Sequence, residues 1–185
     1  MIIGYADPPY PGQAKRLYGN HPDYAGEVDH LALAEKLVGY DGWCLHTSSV
    51  ALPELLPMIS ETLDEFRIMA WVKTFAAFKP NVPVAYAWEP VIFRGGRKRS
   101  RAENTTRDWC AVNIALMRGF PGAKPEGFVR WFLEVMNARR DDVVDDIFLG
   151  SGAVTKAIEQ WRREPDLMSL QPGAEADEKQ EAFEI

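Results

Sequence analysis

Four residues near the start of the chain, Asp7, Pro8, Pro9 and Tyr10, combine a carboxylate, a rigid corner and an aromatic face. They follow the apolar run IIGYA. Consecutive prolines lack the N–H that a strand ladder needs and fix φ, so a buried strand running into them must stop at Asp7. Asp7 and the Pro8 carbonyl, held by such a corner, could accept both N–H bonds of an exocyclic aromatic amine such as that of adenine. That nitrogen is a poor nucleophile because its lone pair is delocalised into the ring. Accepting its hydrogens would orient the lone pair and stabilise positive charge as it develops. Tyr10 offers a flat surface for a base turned out of its stack. The plainer alternative is a capped turn after a buried strand.

A second stretch, DDIFLGSGAVTKAIEQW, reads as a strand, a turn at Gly150 and Gly152, and a helix. Glycines there let the backbone turn tightly and bring the helix's first N–H groups close to a ligand. Val154 and Thr155 interrupt any G-x-G-x-x-G pattern, and the Lys-Ser/Thr of a triphosphate loop is missing. A nucleotide-like ligand without a triphosphate fits better.

Several other residues have chemistry to offer. Arg94, Arg97, Lys98, Arg99, Arg101 and Arg107 face one acid, Glu103, and form the one concentrated positive field of the chain. Such a cluster could neutralise phosphates, which positions a nucleic acid without specifying its sequence; a solvated basic loop is the alternative. The segment KRLYGNHPDY, with Lys15, Arg16, Asn20, His21 and Tyr24, could form a lid over a flipped base, although a polar-loop histidine is more often a surface residue. His46 ends a strand near the expected cleft, whereas His30, within a helix, reads as structural. Lys73 reads as a solvated strand end, and Trp43, Trp71, Trp88, Trp109 and Trp131 read as core. The acids lack an interleaved His/Cys pattern, so no metal is expected.

These residues need elements to position them. IIGYAD, GWCLHTS, FRIMAWVK, AYAWEPVIFRG and DDVVDDIFLG read as strands by length, composition and flanks. VDHLALAEKLVGY reads as a helix with Asp29 as N-cap and Gly39 as its end, and LPELLPMISETL, PEGFVRWFLEVMNAR and AVTKAIEQWRR read as three more. Alternating strands and helices predict a three-layer α/β domain with a largely parallel sheet. Ligands of such sheets sit outside the carboxyl ends of the strands, at the switch point of strand order.

The chain of 185 residues suits one domain over residues 1–163 and an acidic, flexible tail over 164–185. The net charge of −6 arises in that tail, leaving residues 1–163 near neutrality, so it does not argue against a polyanionic partner. Two isolated cysteines, no long apolar run and no leader-like start predict an intracellular, cytoplasmic protein that does not enter a membrane.

Taken together, DPPY and DIFLGSG resemble the S-adenosylmethionine-dependent methyltransferases that modify exocyclic amino groups of nucleic acids. The Asp-Pro-Pro-Tyr form is closer to their adenine-N6 branch than to the Ser-Pro-Pro-Tyr form common among cytosine-N4 enzymes. The catalytic motif comes first and the cofactor loop last, as in the circularly permuted DNA adenine methyltransferases. The family of the eukaryotic mRNA-adenosine methyltransferase is similar too. GWCLHTSS, RIMAWVKTF, AYAWEPVIFRGG and AKPEGFVRWFLEVM extend the resemblance over about residues 1–161.

The resemblance implies a Rossmann-like methyltransferase sheet with its first and last strands adjacent. It implies catalysis by Asp7, Pro8, Pro9 and Tyr10. It also implies S-adenosylmethionine held by Asp7, Lys124, Pro125, Asp146, Phe148, Gly150, Ser151 and Gly152, and Lys73 matches a family position near the site. DNA, or alternatively RNA, would be held by Arg94, Arg97, Lys98, Arg99, Arg101 and His21.

The family usually continues past the last helix with strands, the first ending in an acid that bonds the cofactor ribose. Only DLMSLQPGAE follows here, with Gln171 or Glu175 as weak substitutes. A sheet truncated at this point would expose the strand carrying Asp146 as an edge, to be covered by a homodimer partner, another chain or the acidic tail. That gap supports an alternative, a methyltransferase-like nucleic-acid-binding module without catalysis. Another alternative keeps the chemistry and changes the target to RNA or cytosine N4.

Overall fold

The first strand, β1 (Ile2–Ala6), ends where the proline pair requires and is buried along almost its whole length. It lies in a computed structural model that describes residues 1–19, 26–75, 82–114 and 123–165. Its parallel neighbours are β2 (Gly42–His46), with Tyr5 opposite Cys44, and β6 (Val143–Asp146), with Tyr5 opposite Asp146. The first and last strands are therefore adjacent, as expected.

The sheet is completed by β3 (Arg67–Val72), β4 (Trp88–Gly95) and β5 (Trp109–Ala111), in the order β5-β3-β4-β2-β1-β6. β4 runs antiparallel to both β2 and β3, a departure from the otherwise parallel arrangement. The connection from β3 returns beside it, with Val72 opposite Trp88 and the Lys73 N–H donating to the Ala87 carbonyl at 2.8 Å. Among its described residues, 73–75 and 82–87, that connection has no helix.

Helices cover both faces. On one, α2 (His30–Val38) and α3 (Leu52–Ser60) pack Leu33, Leu37, Leu55 and Ile59 against Trp43, Leu45 and Ile92. On the other, α4 (Glu126–Val135) and α5 (Ala153–Arg163) pack Phe128, Phe132 and Ile158 against Ile3, Tyr5 and Phe93. The three-layer reading holds. The Asp29 carboxylate caps α2 by accepting from the N–H groups of Leu31 and Ala32, each at 3.0 Å. Such a cap contributes about 1 kcal/mol.

Two short elements were not expected. α1 (Ala14–Tyr18) begins the segment read as a lid, and the Glu27 carboxylate accepts from its first N–H groups, those of Ala14 and Lys15. β5 adds three residues beside β3. Trp43, Trp71 and Trp131 lie in the core, but Trp88 and Trp109 are 42% and 44% exposed, which corrects their reading as core residues. Among the described strands β6 is a sheet edge. Of the tail, only Glu164 and Pro165 fall within the described residues, and Arg130 on α4 donates to Glu164 at 2.7 Å. Gln171 and Glu175 lie outside them, as do Asn20, His21 and Tyr24.

Candidate active site at the carboxyl ends of β1 and β6

Side chains alternate along β1, so Tyr5 and Asp7 lean toward the α4 face while Ala6 joins the opposite layer. Pro8 is buried, Pro9 and Tyr10 are half-buried, and the Tyr10 carbonyl accepts from the Gln13 N–H at 2.9 Å as the chain turns into α1. The Asp7 carboxylate, about a quarter exposed, accepts a hydrogen bond from Lys124 Nζ at 2.6 Å through Oδ2. Lys124 is buried and immediately precedes Pro125, the N-cap of α4. The helix that lines the sheet thus delivers a cation to the end of β1.

A polar cluster surrounds this pair. The ring of Trp71 carries Lys73 Nζ 5.1 Å and Lys124 Nζ 5.7 Å from its centroid, and its own N–H donates to the Val112 carbonyl at 2.7 Å. Lys73 is ion-paired with Glu89, which favours the position near the site over a solvated strand end. His46 is wholly buried, its Nε2 3.0 Å from the Tyr5 hydroxyl and its ring 4.8 Å from that of Phe128. Its Nδ1 faces Glu89 Oε2 at 4.0 Å.

The electrostatics follow from burial among these charges. Burial raises the Asp7 carboxyl above the usual carboxylate range and Glu89 acts in the same direction, while Lys124 and Lys73 pull it back down. Burial lowers the His46 imidazole well below the usual histidine range, and the two lysines lower it further. His46 is therefore neutral near pH 7.

At the end of β6 the ladder continues one step, the Ile147 N–H donating to the Tyr5 carbonyl at 2.9 Å, before the strands part. Gly150 and Gly152 then take φ values of +45° and +68°, which side-chain-bearing residues rarely adopt. A Cβ on Gly152 would meet nothing within 4 Å, so this glycine serves the turn and leaves open space above it. Gly152 is the N-cap of α5 and offers no side-chain cap, while the neighbouring Ser151 hydroxyl accepts weakly from the Ala153 N–H at 3.4 Å. Phe148 is half-buried against the α2–α3 layer. Asp146 Oδ2 accepts from the Thr155 hydroxyl at 2.9 Å, and its buried Oδ1 has no partner among the described residues. Burial raises the Asp146 carboxyl, the Thr155 bond lowers it, and the nearby charges of Asp7 and Asp145 raise it again.

The basic cluster lies elsewhere. Arg94 is opposite Trp43 and Gly95 is opposite Gly42, which itself pairs with Ile3. The segment after β4 therefore leaves the sheet at the amino ends of β1 and β2. That is about 13 Å of strand away from Asp7. Arg97 donates to both oxygens of the buried Asp142, and Arg94 pairs with Asp64 at 3.1 Å. Arg99 donates to the Asn104 carbonyl and the Thr106 hydroxyl. Lys98 and Arg101 are exposed at the same end. The structure does not bring Arg94, Arg97, Lys98, Arg99 and Arg101 together with the residues 7–10 corner.

Asp7, Lys124, Asp146 and the glycine turn do converge. The sequence missed Glu89 and Tyr5. Glu89 lies two residues before the buried Val91, so strand alternation places it on the α4 face with Asp7 and Lys73, and that period was the available signal.

No family model matches the chain, and no curated protein is detectably similar to it. Its fold is similar to that of M1.HpyAVI. The crystal structure of the M1.HpyAVI–SAM complex matches with a TM-score of 0.54 at 15% identity, over 88% of this chain and 77% of that one. A crystal structure of M1.HpyAVI matches with a TM-score of 0.55 at 16% identity, over 87% and 76%. Likeness at this identity establishes the fold alone, here a mixed α/β arrangement around a six-stranded sheet.

Proposed function

We propose that this protein transfers a methyl group from S-adenosylmethionine to the N6 amine of adenine in DNA, with the target base flipped onto the residues 7–10 corner. The observation that carries the reading is the placement of Asp7 beside the glycine turn, at the adjoining carboxyl ends of β1 and β6. The fold shared with M1.HpyAVI, including its SAM complex, supports it.

The residues present suit such a cofactor. The unpartnered Asp146 Oδ1 can accept a donor, Gly152 leaves open space, and Asp7 borders the same region. Asp7, Pro125, Asp146, Phe148, Gly150, Ser151 and Gly152 would hold S-adenosylmethionine. When bound, it supplies an electrophilic methyl group on a sulfonium.

The chain's own contribution is orientation and electrostatics. Asp7 and the Pro8 carbonyl accept the two N–H bonds of the amine and direct its lone pair. Asp7 stabilises the positive charge that builds on the nitrogen, in a partly dry site where that interaction is strengthened. Tyr10 stacks on the base, and Pro9 keeps the corner rigid.

A non-catalytic nucleic-acid-binding role is favoured by one observation, the edge position of β6 among the described strands. The reading is tested by calorimetric titration with S-adenosylmethionine, wild type beside Gly150→Asp, followed by nucleoside analysis of DNA incubated with cofactor and enzyme. Binding lost in Gly150→Asp, together with N6-methyladenine formed by wild type and not by Asp7→Ala, is the expected result. No cofactor binding by the folded protein would overturn the enzyme reading. Methylated cytosine, or product on RNA alone, would overturn the substrate assignment.

A further inference from the structure

We infer that Lys124 is the positioning counter-ion of Asp7, committing Oδ2 to the protein so that Oδ1 alone is presented to the substrate amine. The inference rests on the catalytic reading of Asp7 given above. The resemblance in sequence assigns Lys124 to the cofactor instead, so the two roles can be told apart.

The geometry is built for a fixed pair. Lys124 Nζ lies 2.6 Å from Asp7 Oδ2, and the lysine side chain is only 6% exposed. Its position is set by Pro125 and by Phe128 and Phe132, which anchor the first turns of α4 in the core. Trp71 lies beneath its ammonium and is itself tied to the Val112 carbonyl. Lys73, the other cation over that ring, is taken by Glu89, so each lysine has its own carboxylate.

A carboxylate at a cleft mouth with both oxygens free can accept in several orientations. One with an oxygen anchored has a single acceptor direction left. The same cation opposes protonation of Asp7, which matters because a protonated acid would offer an O–H where the amine needs an acceptor. Among the described residues, the groups whose charge acts on Asp7 or answers to it include Lys124 before α4, Lys73 after β3, Glu89 on β4, Cys44 on β2, Tyr5 on β1 and Asp146 on β6. The buried neutral His46 stands behind them. Lys124 is the one joined to Asp7 by a direct hydrogen bond.

The test is a carbon-13 NMR titration of the Asp7 carboxyl, assigned with Asp7→Asn, in wild type, Lys124→Met and Lys124→Arg. S-adenosylmethionine affinity and thermal melts are measured on the same samples, and Lys124→Gln replaces the Met variant if that fails to fold. Loss of the cation is expected to move the Asp7 titration upward by about 1–3 pH units, with Arg restoring most of it and cofactor affinity unchanged. The acid limb of the methylation rate is expected to shift with it. An Asp7 titration that stays put in Lys124→Met overturns the inference, and so does cofactor affinity lost without a titration shift. Because the NMR readout needs no turnover, an inactive protein would refute the proposed reaction and leave this result readable.

Discussion

Arg97 and Asp142 meet through two hydrogen bonds, of 2.8 and 3.0 Å, at the end of the sheet opposite Asp7. The Asp142 carboxylate also accepts from the Arg139 N–H at 2.7 Å and pairs with the Met1 ammonium. The first arginine after β4 is thereby part of the framework that ties β4, α4 and β6 together.

Arg97→Ala should therefore lower stability and leave nucleic-acid affinity unchanged. With Arg97 28% and Asp142 2% exposed, the loss should be about 1–3 kcal/mol, below the value for a fully buried pair. Burial alone would raise the Asp142 carboxyl, but its hydrogen bonds to Met1, Arg139 and Arg97 hold it below the usual carboxylate range. Its stabilising contribution is thus present above that range and lost as pH falls through the lowered value. Urea midpoints at pH 7 and pH 3 should differ less in Arg97→Ala than in wild type. An equal acid loss in both would sink this assignment.

Gly42→Ala should be among the most damaging single-methyl changes in the chain. A Cβ there would lie 2.4 Å from the Gly96 nitrogen and 2.9 Å from Met136 Sδ. The Gly96 nitrogen is held by its bond to the Asp41 carbonyl, at 3.1 Å, and a backbone atom so fixed cannot give way as a side chain can. Overpacking of this kind costs about 1–3 kcal/mol or more. Gly39→Ala is the control, since its Cβ would meet only the Lys36 carbonyl at 3.4 Å, in a helical backbone. Thermal melts should separate the two variants clearly; similar melting temperatures would refute the packing argument.

His46 should make the fold sensitive to mild acid. Its lowered folded value means that its contribution is full above the usual histidine range and is lost as pH falls toward that lowered value. The slope for one such group approaches about 1.4 kcal/mol per pH unit. Between pH 8 and pH 5 wild type should lose more stability than His46→Gln, which cannot take up a proton. His30, lowered by burial in the same way, contributes with the same sign in both proteins. Parallel curves for the two proteins would show that His46 does not titrate as its burial requires.

Much of the site's frame was legible in the chain. The proline pair ended β1 at its observed boundary, Asp29 capped α2, and Gly152 marked the start of α5. Those features are local, and local sterics and caps act within a few residues. The direction of β4 was not legible, because a strand's composition does not reveal which way its partner runs. That single unknown decides at which end of the sheet the basic segment leaves. Had β4 run parallel, Arg94 and its neighbours would have left the sheet beside Asp7; running antiparallel, it delivers them to the other end. The partner of Lys73 was not legible for a related reason, since Glu89 lies sixteen residues away and reaches it only through the β3–β4 pairing.

The flanking of β1 by β2 and β6 also has a consequence for how the molecule comes to exist. Ile3 and Tyr5 find Gly42 and Cys44 within the first third of the chain, but their other partners are Val144 and Asp146. A ribosome must release nearly the whole described domain before β1 can acquire its second neighbour. Until then one side of an almost wholly buried strand is unpaired. Pairings this distant slow folding and leave the nascent chain open to misassembly. The two strands that bring Asp7 and the glycine turn together are thus joined late in synthesis, and a functional site becomes possible only after the β6 strand and its following turn have emerged.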